Sequence, residues 1–564
     1  MAHVSVGLAV CAIAGMIVLS PMTVVAGALL ALITRAVCDG VSGTERRTLL
    51  WILGVAIALR VAAIAALFLW SDPYHLSSFS FDGDGNYVKL RSLWIRNVWL
   101  GVPIDESQFQ GAFAGYGWTS YVYVLAYVQY LFGPAPYAVH LLSVCWSIAA
   151  AGLLYRLVRR SFGSTAAMIA LALMLFLPTL FMWSVAAMKE SWSLLLTTVV
   201  LVGMERAARG RHWAARAGWA CAVVAAVMAL DTTRAGSLFI AVGSLLVAIT
   251  GTFVTRRTKT LVASLAILPL LGTLVLQQPP VQARVLAQLR TAAVMHIGHV
   301  RTEGYSYKLL DQRFYSGDSL ESMTWDEGRR YGMRAIASFV LVPLLWQSVS
   351  RSQLLFIPQQ LLWYALVLLA AAGAVQAGRR DAFAAWLFTG VICVSALVIA
   401  PHEGNIGTLV RHRDGIVPFV ICLSAIALAS VLSSVSSAVA VLVEESVVVG
   451  SVRRLARSLL GGGRAAGTRA RWRESALAAA MVELRQVEDG FWLRRLGIAL
   501  LAGAALSLAM GTFRSLAWPA LLAWAAMAGC ALVLIVYAPA LVCAWREKHE
   551  PPLRIDASAA EAYP

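Results

Sequence analysis

Residues Phe81-Asp82-Gly83-Asp84-Gly85-Asn86-Tyr87 set two carboxylates two positions apart among glycines, which let the backbone bend until both converge on one ligand or metal. Paired acids at this spacing suit the removal of a proton from a hydroxyl, or the holding of a divalent cation. An EF-hand is excluded, because Tyr87 stands where that loop needs glycine and Leu93 where it needs the bidentate glutamate. An Asx-type surface turn is the competing reading of the same residues. The densest polar cluster elsewhere is Pro401–Asp414, in which Arg411, His412 and Arg413 directly precede an apolar run. Guanidinium groups match phosphate oxygens bidentately, and a lipid phosphate has its headgroup at that depth. Pairing with Glu403 and Asp414 would instead make these residues purely structural. Lys189-Glu190 and Asp231-Thr232-Thr233-Arg234 also border apolar runs, so Lys189 and Arg234 are further phosphate-binding candidates unless each neutralises its neighbouring acid. Arg60 lies in the middle of residues 49–70, where an arginine costs on the order of 3 kcal/mol unless it faces protein, water or a counter-charge. His296 and His299 have metal-ligand spacing but no fixed third ligand, so a divalent metal is a possibility without a defined site.

The elements that must position these residues are apolar helices. The chain has 564 residues, 60% hydrophobic and 13% charged, with a mean hydropathy of +0.74. Such a composition excludes a soluble multidomain protein and predicts an all-α polytopic membrane protein of roughly 14 transmembrane helices. The formal charge of +17 is spread in short basic clusters between apolar runs, which is the positive-inside signature and not a nucleic-acid surface. Eight cysteines, none in a CxxC pair, indicate neither a disulfide framework nor a zinc site. The first ten residues lack a positive n-region and are read as part of a retained helix.

Charge parity fixes the expected topology. Tyr116–Phe132 is apolar and aromatic, but if it crossed the membrane, Arg156, Arg159 and Arg160 would be stranded outside and every later basic loop inverted. It is therefore expected to lie in the outer interface, where its Tyr and Trp suit headgroup depth. The predicted organisation is an N-terminal hairpin over 1–47, a transmembrane core over 48–437 with outer loops 71–135 and 278–358, a basic cytoplasmic insert over 438–495, and a C-terminal hairpin and tail over 496–564. The spans expected within it lie near 4–20, 22–36, 49–70, 136–156, 165–181, 191–204, 217–230, 235–253, 261–277, 359–377, 383–400, 415–437, 496–515 and 517–538. This parity gathers 71–116, 182–190, 231–234 and 401–414 on one face, taken as the non-cytoplasmic face of the plasma membrane.

A span with internal Leu59-Arg60, the acidic outer loop FDGDGNY, the run Tyr121–Leu125 leading to Phe132-Gly133, the segment Leu154–Gly163, and Asn405–Thr408 followed by Arg411-His412-Arg413 together resemble the polytopic GT-C glycosyltransferases, especially bacterial relatives of the protein mannosyltransferases. The resemblance covers about residues 48–437. It implies a GT-C-like fold with interfacial helices in the outer loops, a polyprenyl-phosphate-linked sugar as donor, and a glycan, lipid or protein acceptor. It also implies that an acid of the first outer loop, here Asp82 or Asp84, serves as base or metal ligand. The chain departs from the pattern by its Asp-Gly-Asp in place of adjacent acids, its extra N-terminal hairpin and its basic insert. A polymerase or ligase of lipid-linked polysaccharide would also use outer arginines, and a transporter would need charges along the midplane. If the aspartates supply the base, sugar transfer from a polyprenyl-phosphate donor is expected to fall by about 10²–10⁴ in Asp82→Asn or Asp84→Asn, and wild-type rates in both variants would remove them from the reaction.

Overall fold

The computed structural model describes residues 21–70, 83–115, 119–134, 136–302, 304–344 and 351–445, and these are helical apart from loops, short 3-10 turns and one isolated bridge. In lipid a backbone must satisfy its own N–H and C=O groups, and a helix does so within one segment. In chain order the helices are α1 (Pro21–Cys38), α2 (Gly43–Trp70), α3 (Gly83–Trp99), α4 (Glu106–Phe113), α5 (Ser120–Phe132), α6 (Pro136–Phe162), α7 (Ser164–Phe176), α8 (Pro178–Val185) and α9 (Lys189–Arg209). They continue as α10 (Trp213–Thr233), α11 (Ser237–Thr255), α12 (Thr258–Leu276), α13 (Pro279–Arg301), α14 (Trp325–Leu341), α15 (Arg351–Arg380), α16 (Ala382–Ile399), α17 (Ile406–Arg413) and α18 (Val417–Glu445). The chain divides into one unit of Met1–Trp325 with Ser338–Ser433 and another of Asp326–Ala337 with Ser434–Pro564. The site lies within the first unit.

Among the described residues nine helices are long and apolar enough to cross a membrane, or ten spans if α7 and α8 count as one bent by 61°. The expected fourteen are not reached there. Residues 4–20, 496–515 and 517–538 lie outside the described residues, as does the basic insert. The expected span 191–204 forms α9, which is charged at both ends and is not one of the nine. It buries Ser193, Thr198 and Glu205 against other helices, so its polarity is not presented to lipid. The α7–α8 break follows from Pro178, which has no N–H and would clash with a preceding carbonyl inside a continuous helix. Instead it occupies the first turn of α8. Helix α5 has 13 residues, about 20 Å of rise against an apolar core of about 30 Å, so it is too short to cross.

Ion pairs knit the basic loops to one another at one end of the bundle. Arg159 grips Glu45 with two bonds of 2.7 and 3.0 Å, and Arg209 grips Asp381 with two of 2.6 Å. Arg160 reaches Glu205 at 3.4 Å, and Arg380 donates to the carbonyl of Phe162 at 2.9 Å. These four loops must therefore share an end, as alternation requires. Glycine allows the helices to close up: a Cβ built on Gly373 of α15 would lie 1.8 Å from the carbonyl oxygen of Leu423 in α18. Small residues at such crossings replace hydrophobic drive with close van der Waals contact. Gly373→Ala is expected to destabilise the detergent-solubilised protein by about 1–3 kcal/mol in thermal unfolding, whereas Gly54→Ala, at a position with open space, leaves the transition unshifted.

Candidate functional site

The loops at the opposite end bring α8, α9, α17 and the α10–α11 turn together. Helix α17 starts at Asn405, whose side-chain oxygen accepts from the N–H groups of Gly407 and Thr408 at 2.8 and 3.4 Å. Eight residues later its C-terminal turn ends in Arg411, His412 and Arg413, where the helix dipole favours cations. Arg411 Nε donates to Glu190 Oε1 at 2.6 Å, across 221 positions of sequence, and its guanidinium lies 5.9 Å from the ring centre of Trp183. Trp183 Nε1 in turn donates to Asp414 Oδ2 at 2.8 Å. Arg234 closes α10 and lies against Gly415, where an added Cβ would sit 3.4 Å from its Nη1. Among the described residues the Arg234 guanidinium makes no hydrogen bond or ion pair. Trp183, Glu190, Arg234, Arg411 and Asp414 form the charged end of a narrow cleft. Beyond them its walls are mainly apolar, including Met174, Leu201, Met204, Ile240, Val391 and Phe419.

Burial governs the charges here. It works to raise the Glu190 carboxyl, but Arg411 and Arg234 outweigh it and hold the group below its ordinary range, so Glu190 is an anion between two guanidiniums. Asp414 is pushed up to about 6 by burial, against the pull of its hydrogen bond from Trp183 and of Arg413. His412 is held well below its ordinary value, first by burial and then by Arg234 and Arg411.

The residues singled out in the sequence divide. Arg234 and Arg411 meet at the cleft, and Lys189 begins α9 beside Glu190 without being one of the cleft's wall residues. Arg413 is buried, donating to the carbonyl of Val342 at 2.8 Å and to Gln360 Oε1 at 2.9 Å, with Trp363 stacked on it. It ties α17 to the stretch after α14 and to α15. Arg60 is fully buried, bonded to Ser184 Oγ at 2.7 Å and to the carbonyls of Leu175 and Ala56. Its partners include the carbonyl at the end of α7, close to the Pro178 break. Asp82 lies outside the described residues, and of Asp84 only the backbone is described. Where a glycine-rich turn was expected, a helix begins at Gly83 and carries Asp84 in its first turn. An aspartate near a helix start is favoured by the dipole, and a glycine costs least at an end.

Of the two alternatives open in sequence for Lys189-Glu190 and Asp231–Arg234, self-neutralisation is not the one seen. Asp231 Oδ1 accepts from the backbone N–H of Leu238, and Glu190 turns to Arg411. Glu403 is bonded by His412 Nδ1 and has His299 Nδ1 3.8 Å away. Its carbonyl accepts from His296 Nδ1 at 2.5 Å, and His299 Nδ1 donates to the carbonyl of His402 at 2.8 Å. Both ring nitrogens of His296 are used, the second with Tyr315 at 2.7 Å, so this residue does not fit as a metal ligand. No group of three His, Cys, Asp or Glu side chains is arranged to hold a metal among the described residues. The roles of Trp183, Glu190 and Asp414 emerge only from the fold, because Trp183 meets Asp414 across 231 positions and Glu190 meets Arg411 across 221. Glu403 instead takes the structural pairing open to the 411–413 cluster in sequence, with His412 nine positions on.

Residues 120–276 match the family model described as dolichyl-phosphate-mannose-protein mannosyltransferase, which bears out the resemblance drawn from the sequence. No curated protein and no solved structure matches the chain. The matched stretch runs from α5 through α12 and includes Trp183, Glu190 and Arg234. Burial also raises Glu403, from its ordinary 4.5 to about 7, against the pull of His299, Arg234, His402 and Arg411. A carboxyl that holds its proton more tightly when folded favours the fold below the unfolded value and loses that contribution, on the order of 3 kcal/mol, as pH rises to the folded value. His296, lowered to about 4 by burial, and His412 act in the opposite sense. Glu403→Gln is therefore expected to gain stability relative to wild type as pH rises from about 4.5 to 7, a difference that parallel thermal unfolding series would read.

Proposed function

We propose that this chain, a membrane glycosyltransferase of the dolichyl-phosphate-mannose-protein mannosyltransferase family that takes sugar from a polyprenyl-phosphate donor, binds the donor phosphate between Arg234 and Arg411 and its prenyl chain along the apolar cleft. The observation that carries this reading is the Arg234 guanidinium, half-buried and without a hydrogen bond among the described residues, beside a second arginine at the head of a mainly apolar channel. A guanidinium edge open to the cleft is a charged donor for an anion that enters it. A phosphodiester brings two oxygens that share one negative charge, and its lipid tail suits the walls beyond. Mannose, the sugar in the family description, is the first candidate for transfer.

In this reading the acceptor hydroxyl attacks the anomeric carbon as the bond from that carbon to the phosphate oxygen breaks. The configuration inverts, and the lipid phosphate leaves with the charge that Arg234 and Arg411 stabilise. Asp82 or Asp84 takes the hydroxyl proton. Support for that assignment comes from Lys89, which follows Asp84 on α3 and lies 3.2 Å from His140 Nε2. His140 Nδ1 is bonded to the carbonyl of Val185, at the end of α8 and in the loop that leads to Glu190. The start of α3 is thereby tied to the same loop as the cleft's charges. The acceptor is a glycan, lipid or protein at the non-cytoplasmic face, the face to which charge alternation assigns these loops.

Arg234→Ala is expected to slow transfer from polyprenyl-phosphate mannose by about 10²–10³ and to weaken donor binding, with the thermal transition little changed. Unaltered kinetics in that variant would overturn the phosphate assignment.

A further inference from the structure

The Arg411–Glu190 pair uses only half of the carboxylate. Oε1 receives Arg411, whereas Oε2 is buried and has no hydrogen-bond partner among the described residues, although Glu190 lines the cleft. The Glu190 side chain is 9% exposed, so bulk water does not complete it. A buried charged oxygen without a donor is costly, and a ligand atom is the natural supplier.

The neighbours restrict what that atom is. Arg411 and Arg234 both act on Glu190 and would repel a metal ion placed at Oε2. An anionic phosphate oxygen is repelled by the carboxylate itself. What fits is a neutral hydrogen-bond donor within a few ångströms of a phosphate bound by the two arginines. A hydroxyl on the sugar of a sugar phosphate meets that description, because the pyranose is joined directly to the phosphate. Trp183, whose ring already faces Arg411 and whose Nε1 is fixed by Asp414, adds a flat apolar surface beside that position.

We infer that Glu190 is a specificity residue that reads the donor sugar, its Oε2 accepting a hydrogen bond from one sugar hydroxyl while its Oε1 orients Arg411. The inference rests on the donor-binding reading above and deepens it. Glu190 thereby separates substrate from product. The donor offers a sugar hydroxyl and a singly charged phosphodiester, whereas the departed lipid phosphate has no sugar hydroxyl and carries more negative charge against the same carboxylate.

The test measures binding of polyprenyl-phosphate mannose, its monodeoxy analogues and sugar-free polyprenyl phosphate to the full-length protein in detergent. On the wild type, one monodeoxy donor is expected to bind about 10-fold more weakly than the parent, as for a lost hydrogen bond to a charged group. In Glu190→Gln, an isosteric change, that penalty should shrink several-fold while sugar-free polyprenyl phosphate binds as well as before or better. The inference is overturned if every monodeoxy donor binds the wild type like the parent. It is equally overturned if Glu190→Gln weakens sugar-free and sugar-bearing lipids in parallel, which is the mark of a residue that only positions Arg411. If the wild type binds neither lipid, the donor-binding reading itself fails, and the inference fails with it for that separate reason. The deoxy series on the wild type requires no variant to fold.

Discussion

The ion pair between Arg411 and Glu190 is the contact on which the site depends. At the edge of an apolar bundle a lone guanidinium or carboxylate is expensive, and each charge there must find a counter-charge, a hydrogen bond or a ligand. Arg411 and Glu190 satisfy one another in part, with a 2.6 Å bond, and Arg234 stands by them without a hydrogen bond of its own. The same end of the cleft holds a second acid, Asp414, so Arg234 and Arg411 stand among two carboxyl groups, of which Glu190 is held ionised by the two guanidiniums.

Everything around the pair serves to hold it. Pro178 ends α7 and redirects the chain into α8, which delivers Trp183 and Ser184. Ser184 anchors the buried Arg60, and Trp183 reaches Asp414 immediately after α17. On the far side of α17, Arg413 is committed to Val342 and Gln360, so the three adjacent residues 411–413 take three directions: one to the cleft, one to Glu403 and one into the core. At the other end of the bundle the bidentate pairs Arg159–Glu45 and Arg209–Asp381 fix the helix ends against one another.

The segment before α17 is clasped by histidines. His296, His299 and His412 converge on the 402–403 peptide and the Glu403 carboxylate, and an isolated bridge between Ser306 and Asn405 adds backbone bonds from Tyr307 and Ile406. Because α17 carries Arg411, this clasp sets where that guanidinium sits at the cleft.

Composition and alternation were enough to make this a helical, polytopic membrane protein, since a spanning segment must be apolar along its whole length and basic loops collect on one side. The same alternation set loops 182–190, 231–234 and 401–414 on one face, and the structure brings Glu190, Arg234 and Arg411 from those loops into one cleft. Individual roles were not legible. Arg411, His412 and Arg413 are neighbours in sequence with the same local surroundings, and only their helical directions, about 100° apart, send one to a ligand cleft and another to a buried carbonyl. Asp231 and Arg234, three positions apart, could neutralise each other by sequence alone, but in the fold Asp231 accepts from the Leu238 N–H. Sequence records how many charges a membrane protein carries and on which side they lie. Which of them remain uncompensated is decided by distances between residues hundreds of positions apart, because an ion pair depends on separation in space and on the burial that only packed helices create.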